Sequence, residues 1–60
     1  MLIELNNALL DTSKVNGFTH VEVYKKDTNK HWEYRGSFGI EGGASKTKVT
    51  QIYEENKEEF

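Results

Sequence analysis

Two consecutive segments of the chain alternate between apolar and polar residues, with the period of two that is typical of β-strands. In the first segment, residues 19–26, Val21 and Val23 fall on one side. In the second, residues 31–40, one side carries Trp32, Tyr34, Phe38 and Ile40. Both segments are rich in β-branched and aromatic residues, and the four residues between them, Asp27-Thr28-Asn29-Lys30, favour turns. The pattern therefore predicts a β-hairpin.

The charges and apolar residues of this hairpin indicate a register. The favoured register has the pairs Lys26 with His31, Val23 with Tyr34, and Glu22 with Arg35. A slip by one residue would place Val23 against Arg35 and mix the two faces, because neighbouring side chains point to opposite sides of a strand. The register predicts that Trp32, Tyr34 and Phe38 turn inward with the valines. Tyr24 would then be the exposed aromatic residue.

The first eighteen residues predict two more strands. Residues 2–5 are apolar except for Glu4, residues 8–10 are apolar, and the two segments flank Asn6-Asn7. Asparagine tolerates the positive φ that tight hairpin turns need. A strand that continues through Asp11 to Val15 and turns at Asn16-Gly17 would complete a four-stranded antiparallel meander.

The last third of the chain is compatible with a helix or a strand. Ser45 could cap a helix that places Val49, Ile52, Tyr53 and Phe60 on one face. However, residues 47–52 contain four β-branched side chains, which would suit a strand. We expect the helix, and hence an α+β fold in which a C-terminal helix lies over a four-stranded antiparallel sheet. An all-β fold is the alternative.

The length of the chain, 60 residues, predicts a single domain over residues 1–60 with a small core. A chain of this size buries only about 60% of the surface that it exposes when unfolded. There is no cysteine to form disulfides or thiolate metal sites. We therefore expect either tight packing or completion of the fold by a partner, such as a second copy in a homodimer. We also expect a cytoplasmic protein, because neither a membrane span nor a secretory leader is evident.

Several motifs resemble catalytic or ligand-binding sequences but lack residues that such sites require. Residues 42–47 end in Lys46-Thr47 like a phosphate-binding loop, but the glycines of G-x-x-x-x-G-K-[ST] are replaced by Ile40 and Ser45. His20 and His31 fall at opposite ends of the predicted hairpin, and no serine has a histidine and an acid arranged to activate it. We expect a non-enzymatic protein with no catalytic residue, metal site or cofactor.

Two segments could contact nucleic acid. Residues 43–53 resemble the second helix of a helix-turn-helix DNA-binding unit, which a G-x-S turn precedes. The resemblance implies outward contacts to phosphates and base edges from Lys46, Lys48, Thr50 and Gln51. Tyr24 beside Lys25 and Lys26 could instead stack a single-stranded base. The net charge of −2 does not favour either interaction.

The remaining polar and aromatic residues predict a protein-interaction module, acting as a small regulator or inhibitor of a larger protein. The outer face of the hairpin provides His20, Glu22, Tyr24 and Arg35. The end of the chain provides the acidic residues Glu54, Glu55, Glu58 and Glu59, which could engage a basic patch on a protein partner. Nucleic-acid binding is the alternative function.

Overall fold

A computed structural model describes residues 1–60 and shows four strands followed by a helix. The elements are β1 (Leu2–Glu4), β2 (Ala8–Val15), β3 (Phe18–Lys26), β4 (Trp32–Glu41) and α1 (Lys46–Asn56), which a 3-10 turn extends over Lys57–Glu59. The strands form one antiparallel sheet in the order β1-β2-β3-β4. The predicted α+β fold is confirmed, and the all-β alternative is wrong.

The turns follow the local chemistry of the sequence. Asn16 and Gly17 join β2 to β3 with φ angles of 50° and 83°, and positive φ at both central residues is the signature of a type I′ hairpin turn. Between β3 and β4, the carboxylate of Asp27 accepts hydrogen bonds from the backbone N–H groups of Asn29 (2.8 Å) and His31 (2.9 Å). Both turns join neighbouring strands and therefore make the sheet a meander.

One face of the sheet packs under α1 and forms the core. Its buried apolar residues are Ile3, Ala8, Leu10, Val21, Val23, Ile40, Val49 and Tyr53. The helix begins after Ser45, whose Oγ accepts a hydrogen bond from the Lys48 N–H at 3.2 Å. Packing of an apolar face stabilises helices in proteins more than intrinsic propensity does, which explains why the β-branched residues of this segment are helical.

The register between β3 and β4 differs from the predicted one because β4 contains a β-bulge. Tyr24 pairs with Tyr34 and Val23 with Gly36, so Arg35 is one extra residue between the two pairs. Because of the extra residue, the even-numbered side chains before it and those after it lie on opposite faces. Phe38 and Ile40 turn toward the helix, but Trp32 and Tyr34 lie on the opposite face and are 37% and 53% exposed. The prediction that these two aromatic residues are in the core is wrong.

Candidate functional site

The sheet has one face that no element of the chain covers, and we call it the outer face. Strand alternation and the cross-strand pairs place three kinds of residues there. The aliphatic and aromatic ones are Leu2, Leu9, Val15, Phe18, Tyr24, Trp32 and Tyr34, the acidic ones are Glu4, Asp11, Glu22 and Glu41, and the basic ones are His20 and Lys26. Five large apolar side chains of this face (Leu2, Val15, Phe18, Trp32 and Tyr34) are exposed, by 64%, 51%, 51%, 37% and 53% respectively.

The aromatic residues of the outer face contact one another across β3 and β4. The rings of Tyr24 and Tyr34 pack edge to face, with centroids 5.5 Å apart. The ammonium of Lys26 lies 5.0 Å from the centroid of the Trp32 ring, within cation–π distance. Leu9 is the cross-strand neighbour of Tyr24 on the other side. We call these five residues the aromatic patch, and the Tyr24–Tyr34 and Lys26–Trp32 contacts restrict the rotamers of four of them before any ligand arrives.

Two carboxylates lie next to the aromatic patch. Asp11 on β2 is directly opposite Glu22 on β3, and both are partly buried. Like charges that face each other across a sheet repel. Partial burial raises the pKa of the Tyr24 hydroxyl, and the negative charges of Glu22 and Asp11 raise it further. The outer face therefore combines apolar contact area with a concentration of negative charge that a cation would neutralise.

The predicted protein-binding residues fall into two groups that do not share a surface. His20, Glu22 and Tyr24 all lie on the outer face, as the alternation predicts. Arg35 is exposed at the bulge, where Ser37 rather than Arg35 is opposite Glu22, so the predicted ion pair is wrong. The acidic group is exposed at the end of α1 and in the 3-10 turn, on the helix side of the sheet: Glu54, Glu55, Glu58 and Glu59. Within it, Glu54 forms an ion pair with Lys57 at 3.2 Å.

The predicted nucleic-acid residues are likewise divided. Lys46, Lys48 and Gln51 are exposed on α1, and Thr50 is partly buried there. The element before α1 is strand β4, so the first helix of a helix-turn-helix unit is absent. Lys25 and Lys26 are neighbours in a strand and point to opposite faces, and only Lys26 belongs to the aromatic patch.

Sequence reasoning missed Trp32, Tyr34 and Leu9 as members of the site. The signal that could have revealed the two aromatic residues is Gly36, because an isolated glycine inside a strand pattern often marks a bulge. Here Gly36 has a φ of +148° and immediately follows the extra residue Arg35. The sequence does not show which of the neighbouring residues Leu9 and Leu10 points to the outer face, and only the strand register shows that it is Leu9.

A concave region lies between the β1–β2 turn and the end of α1. It is a cleft of about 580 Å³ lined by Glu4, Leu5, Asn6, Asn7, Lys25, Tyr53, Glu54 and Lys57. Burial raises the pKa of the Tyr53 hydroxyl, and the charge of Glu54 adds to the effect.

No three potential metal ligands among the histidines and acidic residues come together anywhere in the structure. His20 lies near the start of β3, and His31 lies beyond the other end of that strand.

The single α-helix has 11 residues, and the structure has no helix with the length and apolar character needed to cross a bilayer. Comparison with protein-family models, with curated proteins and with solved structures gives no match for this chain.

Proposed function

We propose that this chain is a non-enzymatic protein-binding module that regulates or inhibits a larger protein, and that the outer face is its binding surface. The observation that carries the proposal is the exposed aromatic patch beside the facing carboxylates Asp11 and Glu22. The partner that fits this surface presents apolar side chains together with at least one lysine or arginine.

The apolar part of the surface has the composition of a protein-binding hot spot. Tryptophan and tyrosine are enriched among the residues that dominate binding energy. The Tyr24–Tyr34 and Lys26–Trp32 contacts hold four of these side chains in place, which lowers the entropy lost on binding. Exposed apolar residues that adjoin one another mark interaction sites more often than scattered ones do.

The charged part of the surface selects the sign of the partner. Bringing a cation between Asp11 and Glu22 would relieve their repulsion and add a charge-assisted hydrogen bond. A partner with a carboxylate at the same place would meet two like charges, so it would be rejected. The acidic group at the end of α1 lies on the other side of the molecule, and we assign it no part in this contact.

Single-stranded nucleic acid is the second candidate ligand, because Trp32, Tyr34 and Tyr24 form an aromatic surface on a sheet with Lys26 at its edge. Stacking on such surfaces contributes about 1–3 kcal/mol per base. The same face carries four carboxylates, which repel phosphates, and the net charge of the chain is −2. Protein binding therefore ranks first. Binding of duplex DNA rests only on the resemblance of residues 43–53 to the second helix of a helix-turn-helix unit, and no structural observation adds to it. A cytoplasmic location stays a prediction from composition.

A peptide array tests the proposal directly. The purified, labelled chain is applied to synthetic ten-residue peptides in which apolar residues alternate with lysine or arginine, and to matched peptides with glutamate or serine instead. We expect binding to the basic–apolar peptides alone. Fluorescence anisotropy with the best peptide should then show at least tenfold weaker binding for Trp32→Ala and for Glu22→Lys. Glu55→Lys makes the same charge change at the exposed end of α1 and should leave the affinity unchanged.

The same anisotropy assay separates the two candidate ligands. An oligothymidylate replaces the peptide, and both are titrated over a range of salt concentrations. Tighter binding to the oligonucleotide than to any peptide, with an affinity that falls steeply with salt, would overturn the protein-binding proposal in favour of nucleic acid. Equal binding of basic and acidic peptides would overturn the role of Asp11 and Glu22.

A further inference from the structure

Strand β4 is a long sheet edge that pairs on one side only. It has ten residues and borders β3 alone, whereas the opposite edge of the sheet, β1, has three residues. The hydrogen bond from the Gly42 N–H to the Gly17 carbonyl (2.8 Å) makes Phe18–Glu41 a non-hydrogen-bonded pair. Alternation along the ladder then directs the N–H and C=O groups of Ser37, Gly39 and Glu41 away from β3 and out of the sheet.

This part of the edge is regular and open. The bulge at Arg35 distorts β4 at one end, but residues 36–41 pair with β3 without a register shift. Ser37, Gly39 and Glu41 are exposed. On the helix side, Phe38 and Phe60 are only partly buried, with their ring centroids 6.0 Å apart, so apolar surface borders the edge. Long exposed edges of this kind pair with further strands unless charges or bulges prevent it.

We infer that a second copy of this chain pairs with β4, antiparallel and about a two-fold axis at Phe38, to give a continuous eight-stranded sheet. In this register the pairs are Ser37 with Gly39, Gly36 with Ile40, Arg35 with Glu41, each occurring twice, and Phe38 with itself. The outward N–H and C=O groups of Ser37 and Gly39 bond to those of the second copy. The inference is independent of what the outer face binds.

Charge complementarity selects this register among those that the outward backbone groups allow. An axis at Ser37 would set Glu33 against Glu41 of the other copy twice, which is repulsive. An axis at Gly39 would leave Arg35 opposite Gly43 and Glu41 opposite Ser37. Only the axis at Phe38 brings both arginines to carboxylates and also joins the apolar residues of the two edges.

Association measurements with charge reversals test the dimer. Sedimentation equilibrium of the wild-type chain over a range of concentrations should approach twice the 6.9 kDa mass of one chain. Arg35→Glu and Glu41→Arg should each weaken association about tenfold or more, because each creates two like-charge pairs. The double variant R35E/E41R restores opposite charges and should recover association. Lys46→Glu, the same charge change on exposed α1, is the control and should associate like wild type.

Engineered cysteines test the register itself. The chain has no native cysteine, so every disulfide must form between the introduced residues. Ser37→Cys mixed with Gly39→Cys should form a disulfide-linked dimer under mild oxidation, since directly opposite residues have Cα atoms about 5.5 Å apart. Either variant alone should cross-link slowly, because its two cysteines would be diagonal. A side chain fits at Gly39, where a Cβ would meet no atom closer than the Thr19 carbonyl oxygen at 4.0 Å.

Three results would overturn the inference. They are a monomer at every concentration, association that R35E leaves unchanged, or cross-linking of S37C alone as fast as in the mixture. Circular dichroism of each variant shows whether the fold is retained, and the mixed-cysteine experiment needs no charge change at all.

Discussion

Gly36 controls which side chains reach the outer face, and replacing it with alanine should destabilise the protein strongly. Its φ of +148° lies in a region that side-chain-bearing residues rarely adopt. A Cβ built there would lie 3.0 Å from a ring carbon of Phe60, so the ring would also have to move. Backbone strain of this kind costs about 1–3 kcal/mol. We expect Gly36→Ala to lower the free energy of unfolding by about 2 kcal/mol, with the ring displacement included.

Thermal unfolding followed by far-UV circular dichroism measures this effect, together with urea titrations. For a domain of this size, about 2 kcal/mol corresponds to a fall in Tm of roughly 10 °C. Gly39→Ala is the matched control on the same strand, because its Cβ would come no closer to any atom than 4.0 Å, to the Thr19 carbonyl oxygen, and its φ carries no comparable strain. It should change stability by no more than about 0.5 kcal/mol, in the stabilising direction if at all.

A double-mutant cycle with Phe60→Ala separates the two sources of the loss. Removing the ring should reduce the cost of Gly36→Ala but not abolish it, because the backbone strain remains. Equal stabilities of Gly36→Ala and Gly39→Ala would refute the reasoning. It would mean that the chain can take an unbulged register without loss, and that Trp32 and Tyr34 are not held on the outer face.

Three further predictions follow from the core and the helix. Val49→Ala, at a fully buried position, should cost about 2 kcal/mol in urea unfolding, and no loss would mean that α1 does not pack on the sheet. Ser45→Ala removes the cap of α1 and should cost about 1 kcal/mol, whereas Ser45→Asp should retain most of it. Because the folded-state pKa values of Tyr24 and Tyr53 are raised, their protonated forms are favoured by folding. Their contribution to the free energy of unfolding should be fully present below pH 10.0, their ordinary pKa. It should be lost as the pH rises through their raised pKa values. Tyr53→Phe should flatten this alkaline loss in pH-dependent urea titrations, and an unchanged slope would contradict it.

The strands and the helix could be predicted from the sequence because each is encoded locally. Alternation over residues 19–26, the Asn16-Gly17 turn and the serine cap before Val49 all depend on near neighbours. The positions of the aromatic residues could not be predicted in this way. One extra residue at Arg35 reverses the face on which the preceding residues of β4 lie. The sequence alternates regularly on both sides of this bulge, so the alternation alone does not reveal the reversal.

The candidate site was predicted in part for the same reason. His20, Glu22 and Tyr24 belong to a strand without irregularity, so their common face follows from alternation alone. The Glu22–Arg35 pair depended on the register across the hairpin and was lost with it. Ser37 is opposite Glu22 instead. The like-charge pair of Glu22 and Asp11 joins β3 to β2, and it depends on the register of a second hairpin.

The edge and the outer face would act together if both proposals hold. Opposite residues of an antiparallel pair point to the same side of the sheet, so the two outer faces of the dimer would form one surface. Tyr34 and Phe38 pair with Tyr24 and Val21, which are three residues apart on β3, so at a rise of about 3.3 Å per residue the two copies of Tyr34 would be roughly 20 Å apart along the strands. Two aromatic patches at that separation suit a partner with two basic–apolar segments. Such a partner would bind more tightly than a single segment does without any new contact, because its second segment binds intramolecularly. Dimerisation through the long edge strand β4 would therefore raise the affinity of the outer face for a two-segment partner, and the three-residue strand β1 at the opposite edge is too short for the same role.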